Sequence, residues 1–145
     1  MTTVRQIITS SVAATSAMTA FSYLLSEQKE ENFREPQLLA GFVGRNLNIP
    51  DKTALPVAWV AHYLIGTGFT TGYSLIQRQK DTKPTAKNGL CYGAMAGCVG
   101  VLVWKTLFDS HTNPPKTHRK GFYAQLLVTH LIFGLTLSAF KRRKL

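Results

Sequence analysis

Two histidines carry the chemistry that this chain could do. His62-Tyr63-Leu64-Ile65-Gly66 and His130-Leu131-Ile132-Phe133-Gly134 share one pattern: a His, three bulky apolar residues and a Gly. Each motif lies in a stretch without Asp, Glu, Lys or Arg. An imidazole in hydrocarbon is costly and marks a functional position. Two that face each other could clamp a b-type haem, with His62 and His130 as axial ligands and the Gly one turn away making room for the macrocycle. They could instead donate to a Ser, a Thr or a backbone carbonyl and hold helices together, or line a polar pocket or proton path. No further cluster of metal-ligating residues accompanies them, and no separate metal site is expected.

Other polar residues gather toward the same end of the chain's helices. Lys105 and Asp109 are spaced i,i+4, a pairing distance on a helix. With Arg34, Glu35 and the two histidines they form the candidate lining of a cavity open to the outer face, suited to a solute or lipid headgroup with an anionic part. The simpler reading of Lys105 is a snorkelling side chain beside the interfacial Trp104. No nucleophile elbow, Gly-rich phosphate loop, zinc spacing or Ser-x-x-Lys motif is present. No catalytic residue is assigned. The expectation is a non-enzymatic protein with a polar outward-facing site or a partner-binding, accessory role.

The elements that must position these residues are helices in a membrane. Residues 6–26, 53–77, 88–104 and 121–140 carry no charged side chain, and a crossing needs about 20 mainly apolar residues. A soluble bundle would need a charged face on each helix. The fold class is therefore all-α, an integral membrane four-helix bundle with helices at about 6–26, 56–77, 89–108 and 121–140. The first stretch could pass for a signal peptide. Thr9, Ser10, Ser11, Thr15 and Ser16 interrupt its apolar run, and it is read as the first crossing. In the long loop after it, Leu38, Leu39, Phe42, Val43, Leu47 and Ile49 make an approximate helical stripe between Pro36 and Pro50. This predicts a short amphipathic helix at about 36–48, lying on the outer surface or closing over the bundle as a lid.

Each half repeats one plan: a helix rich in small residues goes out, a Pro-containing loop follows, and a helix with His-x-x-x-Gly returns. That predicts two helical hairpins in parallel repeat. His62 lies roughly 9 Å along its helix and His130 roughly 13–14 Å along its own, both counted from the outer side. Gly89, Gly93, Gly97 and Gly100 form a small-residue face for close helix packing, with Ala13, Ala17, Thr15 and Thr19 of the first helix as a matching surface. The same face could serve a homodimer or another membrane-protein partner.

The net charge of +10 comes from clusters at helix ends, among them Arg78, Lys80 and residues 141–144. This is the pattern of topology anchors and lipid-phosphate contacts, not of a nucleic-acid surface, which would interleave Arg with stacking aromatics. The basic residues divide nine to eight between the two sides, with the acidic Glu27, Glu30, Glu31, Glu35 and Asp51 diluting the second. The positive-inside rule then sets both termini in the cytoplasm. Cys91 and Cys98 lie about 10 Å apart on one helix face, too far to bridge, and read as packing residues.

The outline resembles the YagU-like family of small bacterial inner-membrane proteins. These have four helices, His in the second and fourth, and a Pro-Pro-basic outer turn. The matching positions are His62, His130 and Pro114-Pro115-Lys116. The family's segment after the first helix has no counterpart in residues 27–50. The resemblance implies an inner-membrane location and specifies no mechanism.

Overall fold

A computed structural model of the chain describes residues 4–142, with side chains through residue 141. Arg143 and Lys144 of the terminal basic cluster lie outside the described residues. Five helices and no strand are found among the described residues: α1 Val4–Lys29, α2 Glu35–Leu47, α3 Asp51–Gln79, α4 Ala86–Ser110 and α5 Arg119–Arg142. Three of them, α1, α4 and α5, are long and apolar enough to cross a membrane. α3 is not among the three, although its 29 residues would span. His62, Gly66, Thr67, Gly68, Thr70, Thr71, Gly72 and Ser74 interrupt its apolar run.

The polarity of these helices points inward. α1 buries Ser10, Ser11, Thr15, Thr19, Ser22 and Ser26, while Ile8, Val12 and Leu24 are exposed. α3 buries Ala54, Ala58, His62, Gly66, Thr70 and Ser74, one every fourth residue, and exposes Val60, Leu64, Ile65 and Leu75. α4 exposes Leu90, Met95, Val99, Leu102 and Val103. An apolar belt of this extent on the outside is unfavourable in water. With hydroxyls inside, it is the arrangement expected of helices in lipid, where polar groups must find partners within the protein. Several hydroxyls meet that demand locally. Ser10, Thr19, Ser26, Thr70 and Ser74 each donate to the carbonyl four residues back, a bonding pattern open to Ser and Thr within a helix.

α1 packs between α3 and α5, α4 packs most extensively on α5, and α2 packs on α3. The Gly face of α4 is turned to α5, not to α1. A Cβ at Gly93 would lie 3.1 Å from the His130 carbonyl carbon, and one at Gly89 would lie 2.6 Å from Ser138 Oγ. The expected surface on α1 serves α3 instead: Thr15 sits against Gly66, and Thr19 bonds His62. In both His motifs the Gly is the point of close approach. Gly66 receives α1, and Gly134 receives α4 at Gly89 and Gly93.

α2 begins at Glu35 with Pro36 in its first turn and ends at Asn48, whose left-handed backbone (φ 52°, ψ 45°) closes onto the Gly44 carbonyl. Pro50 then starts α3 at Asp51, so Pro56 lies in the second turn rather than at the helix start. α2 is a lid rather than a surface float. Leu38 and Phe42 are buried, and the Phe42 ring stands 5.3 Å from that of Phe108. Arg45 Nη1 donates to the Asn113 carbonyl at 2.8 Å, and Thr117 Oγ1 donates to the Asn32 carbonyl at 2.8 Å. Pro115 packs onto Gly41, where a Cβ would come within 2.7 Å of its Cγ. The rigid Pro114-Pro115 turn thus holds the lid down.

Candidate functional site: a cavity beneath the lid

α3 and α4 meet at Phe69, Tyr73 and Tyr92. Tyr92 Oη donates to the Phe69 carbonyl at 2.5 Å, and the Tyr73 and Tyr92 rings stand 5.0 Å apart. Toward α2 a cavity of about 130 Å³ lies between them. All five helices contribute to its wall, and His62, His130 and Glu35 all border it. The remaining lining is mostly apolar, with Phe69, Trp104 and Phe133 as its aromatic part.

The histidines are held differently. The Thr19 hydroxyl donates to the Thr15 carbonyl at 2.7 Å, so its oxygen must accept from His62 Nε2–H at 2.8 Å. His62 Nδ1 is then the unprotonated nitrogen of the neutral ring. His130 Nδ1 stands 2.8 Å from the Leu126 carbonyl and must donate to it, which leaves Nε2 as an acceptor. That nitrogen lies beside Gly100, where a Cβ would come within 3.3 Å of it. Gly100 therefore makes room for the imidazole at the cavity wall, while Gly89, Gly93 and Gly97 serve packing.

Glu35 is 2% exposed. Its Oε2 accepts from Ser22 Oγ at 2.6 Å, and its Oε1 accepts from Gln125 Nε2 at 3.2 Å. No Lys or Arg pairs with it among the described residues. Burial holds its carboxyl above the usual carboxylate range, and the Ser22 and Gln125 bonds offset that only in part. A buried carboxyl without a countercharge prefers its neutral form.

The other polar candidates do not join this group. Lys105 Nζ donates to Asp109 Oδ2 at 2.5 Å, and Arg119 Nη1 reaches Asp109 Oδ1 at 3.2 Å. This trio is exposed on the outer rim, away from the cavity. Arg34 lies over the Tyr23 ring, 5.1 Å from its centre, and faces Glu27 at 3.9 Å. Two contributors carry weaker sequence signals. Gln125 is the one amide in residues 121–140, and Thr15 resembles every other hydroxyl of α1. Its Oγ1 is buried without a hydrogen-bond partner.

One nitrogen that a haem clamped by the two histidines could use is already engaged: His62 Nε2 bonds Thr19. No protein-family model, curated protein or solved structure matches this chain.

Proposed function

We propose that this is a non-enzymatic, four-crossing membrane protein that binds a small lipid-phase molecule in the cavity beneath α2. α3 is the fourth crossing in this reading. Residues 53–77 carry no charge, and His62, Tyr63 and Thr67 of α3 bond hydroxyls of α1 while its exposed side carries Val60, Leu64, Ile65 and Leu75. Both termini are then cytoplasmic, and α2 with residues 111–118 covers the outer side, as the basic clusters favour. The YagU-like resemblance supports the same setting through His62, His130 and Pro114-Pro115-Lys116.

One observation carries the ligand. The cavity is apolar, yet three titratable side chains from three helices border it. Small-molecule sites have this composition, mostly apolar with a few convergent polar groups. Native mass spectrometry of protein released from membranes tests the reading. The wild type is expected to retain a small lipophilic molecule in stoichiometric amount, and Ile65→Trp, which fills the cavity mouth, is expected to lose it. Identical bound species in both would overturn it.

A further inference from the structure

We infer that the ligand's head is a single hydroxylated ring, a phenol or quinol, with an apolar tail that leaves between α3 and α4. This rests on the cavity being a ligand site reached from the lipid phase. Size comes first. A dry protein cavity of about 150 Å³ takes one benzene, and this one is about 130 Å³. It accommodates one ring, and its aromatic walls suit a flat one.

Polar groups narrow the head further. His130 Nε2 is an acceptor with no donor among the described residues. Thr15 Oγ1 is a donor with no acceptor, in a residue 1% exposed that borders the same cavity. A helical Thr has two side-chain rotamers open to it, so this hydroxyl can turn from Gly66 to the cavity. One ligand hydroxyl answers both: it donates to His130 and accepts from Thr15. No Lys or Arg lines the cavity among the described residues, so a carboxylate or phosphate would be buried without a countercharge. An ammonium fares no better, because both oxygens of Glu35 already accept hydrogen bonds. The exit follows from exposure. Ile65 of α3 and Val103 of α4 border the cavity, and each is 53% exposed in the apolar belt.

The test uses the full chain in lipid nanodiscs. Trp59→Phe leaves Trp104, which borders the cavity, as the only reporter. Trp104 fluorescence is titrated with 4-hexylphenol, 2-hexylhydroquinone and hexylbenzene. Saturable binding of the hydroxylated probes about tenfold or more tighter than hexylbenzene is expected, the combined effect of the hydrogen bonds to His130 and Thr15. A tighter hydroquinone would identify a quinol and equal affinities a phenolic lipid, and either supports the inference. Thr15→Val, which keeps the side chain's shape, should weaken the hydroxylated probes and leave hexylbenzene unchanged. His130→Leu should do the same, and Thr15→Val decides if that variant does not fold. Hexylbenzene binding as tightly as 4-hexylphenol overturns the inference and leaves the lipid-phase cavity standing. No saturable binding by any probe overturns both.

Discussion

Gly134→Ala is the sharpest perturbation of the framework that holds the cavity. A Cβ there would lie 2.9 Å from Gly93 N and closer still to Gly89 O, where ordinary contact begins at 3.4 Å. Both neighbours are backbone, so no rotamer change relieves the clash and α4 must move off α5. A separation of about 0.5–1 Å forfeits a quarter to a half of each dispersion contact along the interface. Overpacking of this kind costs about 3 kcal/mol, less about 1 kcal/mol regained from replacing a helical Gly by Ala. The net loss of about 2 kcal/mol is roughly a thirtyfold shift in the folding equilibrium. Gly68→Ala is the control, because nothing lies within 4 Å of its added Cβ. It should be neutral or stabilising by up to about 1 kcal/mol. SDS titration of the purified protein, followed by far-ultraviolet circular dichroism, reads both. A Gly134→Ala midpoint equal to the wild type, or an equal loss in Gly68→Ala, would refute the packing argument.

Glu35 makes stability depend on pH. Its carboxyl is raised by burial, so its contribution is fully present below the unfolded value of about 4.3 and is lost as pH rises through the raised value. Glu35→Gln keeps a partner for Ser22 and Gln125, and should abolish that slope; a slope that survives in the variant would assign it elsewhere. Topology is read by an impermeant maleimide after Cys91 and Cys98 are replaced by Ala. Leu47→Cys and Thr112→Cys should react from the outer side and Thr82→Cys should not; Leu47→Cys siding with Thr82→Cys would mean that α3 does not cross. Asp109→Asn should leave both the unfolding midpoint and probe binding unchanged, since exposed ion pairs contribute little; weakened probe binding would bring the rim trio into the site. Protein purified from cells supplied with haem should show no Soret band. A band lost in both His62→Ala and His130→Ala would establish the paired-ligand reading in place of the small-molecule one.

Approximate helix positions, that of α2 included, were legible in the chain, because charge-free stretches and the Pro36 to Pro50 stripe are local patterns; that α2 closes as a lid was decided by its packing on Phe108 and Pro115. The Gly stripe of α4 was legible as a packing face, but its partner was not. Small residues on α1 and on α5 look alike in sequence, and only the helix arrangement assigns Gly134 to α4 and Thr15 to Gly66. Among the polar candidates, spacing along the chain grouped Lys105 and Asp109 with the histidines. The turn of α4 instead sends that pair to the rim, where Arg119 completes it.

By itself the sequence determined the class of solvent for this protein, since long stretches without charge have few alternatives to lipid. It also singled out His62 and His130, whose cost in an apolar setting is a property of the side chain alone. Only the tertiary structure decided what they face. The hydrogen bonds to Thr19 and to the Leu126 carbonyl select which ring nitrogens remain free. The lid, held by Pro115 and Arg45, carries Glu35 into the same cavity. Apart from the His130 bond, which stays within one turn of α5, those contacts join residues far apart in the chain, and no local periodicity encodes them.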